Sequence, residues 1–140
     1  MEKGEKMHKE ISIKTQKRSQ MIDITQAIEN AVSEEGIMDG IVVVYSPHTT
    51  AGITINEGAD PDVVHDILMQ LDEAHPWNHR KYLHGEGNTA AHIKTSLVGV
   101  SQSIPVIGGK MLLGRWQSIY FCEFDGPRSR TCHVKMIGGR

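Results

Sequence analysis

The apolar residues of this 140-residue chain change their spacing along the sequence, and this change constrains the fold more than any other feature. Stretches in which they recur at every third or fourth position are concentrated in the first two thirds, whereas the last third consists of short runs typical of hairpin strands. Segregated helix and strand patterns predict an α+β class with a mixed or antiparallel sheet. The length suits one compact domain, which we assign to residues 10–140, with residues 1–9 as a charged, flexible tail.

Three segments carry the pattern of an amphipathic helix. The first ends at Gly36, which suits a left-handed stop, and the second begins with Asp60 as cap and Pro61 at the first helical position. Asn88 is predicted to cap the third helix. The positions expected on buried faces are, in chain order, Ile24, Ile28, Ala31 and Val32, then Val64, Ile67, Leu68 and Leu71, then Ile93 and Leu97.

Strand patterns lie before, between and after these helices. Residues 11–15 alternate apolar and polar side chains, as a half-buried strand does. Residues 41–45 are continuously β-branched or aromatic, which predicts a strand buried on both faces. Gly108 and Gly109 separate two further strand patterns and predict a tight hairpin turn.

The turn-rich segment DGPRSR, residues 125–130, predicts a hairpin between strands 116–124 and 131–137. With the turn centred after residue 127, Cys122 and Cys132 point to opposite faces of the sheet and cannot form a disulfide. A shift of one residue would bring the two thiols face to face. The expected absence of a disulfide therefore depends on the register.

Composition limits the kinds of partner. Apolar residues make up 39% and charged residues 23% of the chain, which is typical of folded domains. The formal net charge is −2, so there is no chain-wide positive field for nucleic acid or an anionic membrane. The longest apolar run, residues 40–45, is too short to span a bilayer, and the N-terminus lacks a signal-peptide pattern. We expect a soluble cytoplasmic protein.

The first cluster of chemically capable residues is SPHTTAG, residues 46–52, which directly follows the strand pattern 41–45. It combines His48 with three hydroxyl groups at the carboxyl end of a strand, where functional groups often collect. Glu57 follows after one short strand pattern. The alternative interpretation is a polar turn whose hydroxyls bond the backbone, with Glu57 as a helix-entry carboxylate.

The second cluster is HGEGN, residues 84–88, followed by His92 in the first turn of the third predicted helix. The positive end of a helix disfavours protonation of an imidazole and keeps it available as a ligand. His48, His84 and His92 together are our candidate three-histidine metal site, with a position left open for water or a phosphate oxygen. The alternative is that His84 and His92 are cap and core histidines with satisfied hydrogen bonds.

Two further sets of residues remain as candidates. His75 and His79 are competing metal ligands in a long loop, although such a loop more often packs on a neighbour or covers a site. Arg128 and Arg130 in the DGPRSR segment are suited to bidentate phosphate binding. The alternative for the arginines is a turn whose acidic and basic side chains pair with each other.

Three separated segments and the closing strand carry a family resemblance along nearly the whole chain. They are PHTTAGITINEGADPDV (47–63), HGEGNTAAHIKTSLVG (84–99) and PVIGGKMLLGRWQSIYFCEFDGPR (105–128). In these segments the chain resembles the YjbQ-like family. The resemblance implies a compact α+β subunit in a homotrimer, with a metal or anion site of His48, His84 and His92 close to a subunit boundary and Asn88, Glu57 and Arg128 nearby.

The same resemblance implies a secondary thiamine-phosphate synthase activity, in which hydroxymethylpyrimidine diphosphate is coupled to thiazole phosphate. We expect His48, Glu57 and Arg128 to be its catalytic residues and a divalent metal to be its cofactor, with zinc as first choice and magnesium as the alternative for a diphosphate substrate. The usual barrel-type synthase requires at least about 200 residues, so this chain has a different fold. Two alternatives stay open: a metal-dependent hydrolase, and a non-catalytic module that binds a small phosphorylated metabolite.

Overall fold

The computed structural model describes residues 7–140, and within this range the chain forms three helices and eight strands. The helices are α1 (Thr25–Glu35), α2 (Pro61–Ala74) and α3 (Thr89–Val98). The strands are β1 (His8–Lys14), β2 (Gln20–Asp23), β3 (Asp39–Tyr45), β4 (Ala51–Glu57), β5 (Ser101–Ile107), β6 (Lys110–Met111), β7 (Gln117–Glu123) and β8 (Ser129–Gly139). Every pairing among them is antiparallel, so the α+β prediction is confirmed.

The strands form two sheets that share one hydrophobic core. The larger sheet has the order β1-β8-β3-β5-β6, and the smaller has the order β2-β7-β4. Side chains from both sheets and from α1 belong to a single buried cluster. The other face of the smaller sheet packs against α2 and α3 in a second cluster. The smaller sheet is therefore the middle layer of the molecule.

The N-terminal segment joins the larger sheet earlier than expected. Of the proposed tail, residues 1–6 lie outside the described residues. Met7 is buried and its carbonyl accepts a hydrogen bond from the N–H of Met136, and β1 begins at His8. Residues 7–9 are thus part of the folded domain.

The helices begin and end close to the predicted positions. Gly36 ends α1 with a φ of 68°, and the Asp60 side chain accepts the N–H of Asp62 at the start of α2. The predicted buried face of α3 is wrong, because Leu97 is 61% exposed. The buried positions of that helix are Ala90, Ala91, Lys94 and Thr95. Neither α1, α2 nor α3, the helices of residues 7–140, has the length and apolarity needed to cross a membrane.

Strand β3 is buried on one face only, which corrects the expectation of burial on both. Val42 and Val44 are fully buried, but Ile41 and Tyr45 are each 44% exposed. The antiparallel neighbours β5 and β8 continue this exposed surface, where Ile107 and Ile137 are also exposed. We call the surface formed by Ile41, Val43, Tyr45, Ile107 and Ile137 the outer sheet face.

The predicted hairpin across residues 125–130 is wrong. Strand β7 pairs with β2 and β4, whereas β8 pairs with β1 and β3 in the other sheet. Residues 124–128, which we call the crossing segment, carry the chain from one sheet to the other. Cys122 and Cys132 consequently lie in different cores as free, buried thiols, and burial raises the pKa of Cys122 to about 12 and of Cys132 to about 11.

A buried ion pair links the two sheets where the chain crosses between them. Arg130 of β8 donates from Nε to Glu123 Oε1 of β7 at 2.8 Å and from Nη2 to Glu123 Oε2. Glu123 also accepts the Thr15 hydroxyl at 2.9 Å and the Asp125 N–H at 2.9 Å. Arg130 donates further to the Thr50 hydroxyl at 2.8 Å. The pair thus connects Thr15, the residue that follows β1, with the β3–β4 connection and the crossing segment.

Replacing Glu123 by Gln tests this connection, because it removes the charge while keeping the size. We expect the free energy of unfolding near pH 7 to fall by about 3–5 kcal/mol, because Arg130 is left as an uncompensated buried charge. Denaturant unfolding measures the change. In contrast, Glu34→Gln, which removes an exposed partner of Lys9, should leave the free energy of unfolding close to that of wild type.

The effect of Glu123→Gln should also depend on pH. Burial raises the pKa of Glu123, but hydrogen bonds from Arg130, the Asp125 N–H and Thr15 outweigh burial and hold the pKa below its usual 4.5. The stabilisation is therefore fully present above pH 4.5 and is lost as the pH falls through the lower pKa of the folded state. A difference between wild type and variant that stays constant into strong acid would contradict this assignment.

Candidate functional site

Three parts of the chain meet at one end of the two sheets. They are the β3–β4 connection (residues 46–50), the first two turns of α3, and the crossing segment with the start of β8. Two adjoining cavities open between them, with volumes of about 410 and 320 Å³. The larger, which we call the tyrosine cavity, is lined among others by Tyr45, His92, Thr95 and Val100. The smaller, which we call the arginine cavity, is lined among others by Glu86, Asn88, Asp125 and Arg128.

Pro47, His48 and Thr49 line both cavities and separate them. The β3–β4 connection is held by Ser46, whose hydroxyl donates to Ala51 O at 2.7 Å and accepts the His48 N–H at 3.3 Å. These bonds are those of the polar turn that was the alternative interpretation of this segment. The turn is therefore also what places His48 between the cavities.

The His48 ring is fixed by the backbone of Thr131. Its Nε2 lies 3.0 Å from the Thr131 N–H nitrogen and 3.1 Å from the Thr131 carbonyl oxygen. One neutral tautomer accepts from the N–H, and the other donates to the carbonyl and leaves Nδ1 with a free lone pair. Burial lowers the pKa of His48 below its usual 6.5, and the charge of Arg130 lowers it further.

The three candidate metal ligands are brought together only in pairs. The rings of His84 and His92 have centroids 5.4 Å apart, and His92 shares the tyrosine cavity with His48. The His84 side chain is 46% exposed, with Nε2 at 3.8 Å from Glu86 Oε1. Over residues 7–140 no group of three His, Cys, Asp or Glu side chains is close enough to hold a metal ion.

A chain of hydrogen bonds orients Arg128 in the arginine cavity. Asn88 occupies the predicted N-cap position of α3, but its side chain makes no capping bond, and Nδ2 donates instead to Asp125 Oδ2 at 2.8 Å. Asp125 in turn accepts from Arg128 at Oδ2, at 3.0 Å, and at its backbone carbonyl, at 2.8 Å. Two of the five N–H groups of Arg128 are used in this way, and its half-exposed side chain can direct the others toward a ligand.

Asn88 also carries an unsatisfied acceptor. The residue is 6% exposed, and its Oδ1 has no hydrogen-bond partner within the described part of the chain. Buried polar atoms in folded proteins almost always have a partner. The arginine cavity therefore contains both an oriented cation and an unpaired acceptor.

Glu57 lies away from both cavities. Its carboxylate accepts the N–H groups of Ala59 and Asp60 at 3.0 and 3.2 Å, immediately before α2. This is the helix-entry arrangement that the sequence left open as the alternative. The seven residues of β4 separate Glu57 from the β3–β4 connection by roughly 20 Å at about 3.3 Å per residue.

The other histidines make local contacts. His75 ends α2, and His79 accepts the Lys81 N–H at 3.1 Å while its ring stacks on Tyr82. His65 pairs with its neighbour Asp66, and His8 Nε2 lies 3.0 Å from His133 Nδ1 on the larger sheet. None of these five lines the two cavities.

Thr95 and Tyr45 belong to the site but were not identified from the sequence. Thr95 lies three residues after His92, and Asn88 lies four residues before it. This spacing places all three side chains on one face of α3. The helical spacing around His92 was therefore the signal that would have identified Thr95.

Comparison with known proteins gives matches over nearly the full length of the chain. The family model described as UPF0047 protein YjbQ-like matches residues 9–139. UPF0047 protein YugU of Bacillus subtilis is 58% identical over 132 residues, which cover 94% of this chain and 100% of YugU. UPF0047 protein MJ1081 of Methanocaldococcus jannaschii is 56% identical over 137 residues, which cover 96% of this chain and 97% of the relative.

Solved structures agree with the fold. A crystal structure of a YjbQ/UPF0047 family protein from Clostridium acetobutylicum matches with a TM-score of 0.90 and 56% identity, over 92% of this chain and 99% of that one. The structure of a hypothetical protein from Aeropyrum pernix K1 matches with a TM-score of 0.90 and 37% identity, over 94% and 98% of the two chains.

The environment of His48 predicts how its imidazole titrates. We expect a titration midpoint below pH 6.5, because burial and the neighbouring guanidinium of Arg130 both disfavour the imidazolium. NMR spectra of the ring nitrogens across the pH range measure this midpoint. A His48 midpoint at or above 6.5 would contradict the predicted shift.

Proposed function

The chain belongs to the UPF0047 YjbQ-like family, and from the site it carries we propose that it is a secondary thiamine-phosphate synthase-like enzyme. The proposed reaction couples hydroxymethylpyrimidine diphosphate with thiazole phosphate. The thiazole nitrogen forms a bond to the pyrimidine methylene carbon while the bond from that carbon to the diphosphate oxygen breaks. The electron pair of the broken bond leaves with diphosphate, and the products are thiamine phosphate and diphosphate.

The observation that carries this proposal is the oriented Arg128 in the arginine cavity. The departing diphosphate gains negative charge, and a cation held in place before the reaction lowers that barrier most effectively. Asp125 and Asn88 fix the Arg128 guanidinium, so little reorganisation is needed. His48, at the boundary of the two cavities, is next to the place where the bond would break. Glu57 has no part in this proposal.

We assign a divalent metal, zinc, to His48, His84 and His92 as part of the same proposal. Metal-bound histidines usually donate the N–H of their other ring nitrogen to a carbonyl or carboxylate group. His48 Nε2 already contacts the Thr131 carbonyl, which would leave Nδ1 to coordinate the metal. The exposed His84 side chain would have to turn toward the other two rings. A bound zinc would supply Lewis-acid charge, and magnesium is the alternative for a diphosphate ligand.

A second candidate function is a non-catalytic module that binds a phosphorylated metabolite. It is favoured by the absence, within residues 7–140, of three potential ligands close enough to hold a metal. In that case Arg128 would bind phosphate without a reaction. The two functions differ in whether product forms.

We further propose that the protein is a homotrimer in the cytoplasm. The outer sheet face supports assembly, because Ile41 and Tyr45 are each 44% exposed, and Ile107 and Ile137 are 57% and 56% exposed. Adjacent exposed apolar side chains of this kind mark interaction surfaces. The two free, buried thiols fit a reducing compartment.

Replacing Arg128 by Ala tests the proposed activity. We expect kcat for thiamine phosphate formation to fall about 100-fold, because one preorganised donor to the leaving group is lost. His48→Ala should also slow the reaction, whereas His79→Ala, in a loop away from both cavities, should leave it unchanged. Product formation by purified protein at saturating substrates measures these rates.

The outcomes separate the two candidate functions. Equal rates for wild type, Arg128→Ala and His48→Ala would place the activity outside this site. Binding of diphosphate by wild type without product would support the non-catalytic module. Metal analysis of the same preparations tests the ligands, since His92→Ala should lose metal that His79→Ala retains.

Replacing Ile137 by Glu tests the proposed assembly. We expect light scattering of wild type to give roughly three times the 15.6 kDa of one chain, and the variant to dissociate, because a carboxylate on the outer sheet face opposes burial. Gln70→Glu adds the same charge on the exposed side of α2 and should leave the mass unchanged. A wild-type mass of one chain would refute the trimer.

A further inference from the structure

The Arg128 guanidinium is bonded within the crossing segment itself. Its Nε donates to the Asp125 carbonyl at 2.8 Å, and its Nη2 donates to Asp125 Oδ2 at 3.0 Å. These bonds fix the guanidinium relative to residues 125–128. Its place in the arginine cavity therefore depends on the contacts that anchor the crossing segment to the rest of the molecule.

Asn88 anchors this segment at Asp125, and Thr15, the residue that follows β1, anchors it at Arg128. The Thr15 N–H donates to the Arg128 carbonyl at 2.9 Å, and the Arg128 N–H donates to Thr15 Oγ1 at 2.8 Å. Thr15 thus bonds both backbone polar groups of Arg128. Thr15 is 5% exposed and lines neither cavity, so it can influence a bound ligand only through other residues.

The Thr15 hydroxyl has two roles at once. It accepts the Arg128 N–H, and it donates its own hydrogen to Glu123 Oε1 at 2.9 Å. A hydroxyl can accept and donate together, whereas an apolar side chain of the same shape can do neither. One oxygen atom therefore connects the backbone of Arg128 with the carboxylate of the buried ion pair.

Close packing at Gly126 leaves this contact little freedom to shift. The Gly126 N–H donates to the Arg18 carbonyl at 3.1 Å. A Cβ atom added at Gly126 would clash with the Lys17 carbonyl oxygen and would lie 2.8 Å from Thr15 Oγ1. A larger residue at position 126 would therefore push the crossing segment away from residues 15–18.

We infer that Thr15 is a positioning residue of the arginine cavity, which sets where the Arg128 guanidinium meets an anion without touching the anion itself. The inference deepens the proposed function and rests on it for the identity of the anion. It also connects the end of β1 to a site whose walls come from the β3–β4 connection, α3 and the crossing segment. A hydroxyl at position 15 is therefore required for full anion affinity.

The test titrates inorganic diphosphate calorimetrically into the full chain, well below the unfolding transition of each variant. Thr15→Val keeps the side-chain shape and removes the hydroxyl. It should weaken diphosphate binding about tenfold, because the guanidinium is no longer held where the anion binds. Thr15→Ser keeps the hydroxyl and should bind diphosphate as wild type does. A role in stability alone would lower the melting temperature of Thr15→Val and leave its diphosphate affinity unchanged.

Thr25→Val is the matched control. Thr25 Oγ1 also accepts a backbone N–H, from Ile119 at 2.8 Å, but Thr25 lines neither cavity. This variant loses the same kind of bond and should keep the diphosphate affinity of wild type. Gly126→Ala displaces the crossing segment without changing Thr15, and it should weaken diphosphate binding as Thr15→Val does. It replaces Thr15→Val in the comparison if that variant does not fold.

Hydrogen exchange of the Arg128 backbone amide tests the anchor without any ligand. The amide should be protected in wild type, Thr15→Ser and Thr25→Val, and should exchange faster in Thr15→Val, where its acceptor is missing. Equal protection in all four proteins, or equal diphosphate affinity of wild type and a folded Thr15→Val, would overturn the inference.

The two measurements also separate this inference from the proposed function. If wild type does not bind diphosphate, the proposed function loses its anion, and the exchange of the Arg128 amide decides the role of Thr15. If diphosphate binding depends on Thr15 but no thiamine phosphate forms, the positioning role is supported and the proposed activity alone is refuted.

Discussion

The ion pair between Glu123 and Arg130 is the contact on which the arrangement of the site depends. It joins the two sheets where the crossing segment leaves β7, and its remaining bonds go to Thr15, Thr50 and the backbone of Asp125. Each of these lies in a different part of the chain. A buried ion pair is weak evidence for net stability, since desolvation offsets much of the attraction. Here its bonds set the position of the β3–β4 connection relative to the crossing segment, and so the shape of the arginine cavity.

The local parts of this fold follow from the sequence, and the non-local parts do not. The starts and ends of α1 and α2 are encoded by neighbouring residues, such as Asp60 at a cap and Gly36 at a stop. The DGPRSR segment has the composition of a hairpin turn, yet it crosses between sheets, because strand pairing is decided by burial over the whole chain. A continuous run of apolar residues does not indicate which face of the strand is buried. The exposure of Ile41 could therefore not be predicted from the sequence.

The residues of the candidate site show the same difference between what local sequence predicts and what depends on the tertiary structure. His48 follows a strand and His92 lies in the first turn of a helix, and these local positions were enough to select both as candidates. The structure places the two at one cavity. Glu57 was proposed because it is near His48 in sequence, but an intervening extended strand carries it to the far end of the sheet. Asn88 stands at the start of α3 as its local sequence predicts, but its amide bonds Asp125, a partner 37 residues away that only the tertiary structure reveals.

The alternation of β7 has a consequence for how this fold can vary. Ile119 and Phe121 face one hydrophobic cluster, while Tyr120 and Cys122 face the other, together with Phe124 just after the strand. Inserting or deleting a single residue within this strand would turn the side chains beyond that point toward the wrong core. Changes in this strand are therefore limited to substitutions that keep apolar side chains packed on both of its faces. Differences in chain length should accumulate in the loop between α2 and α3, where such a shift alters no strand register.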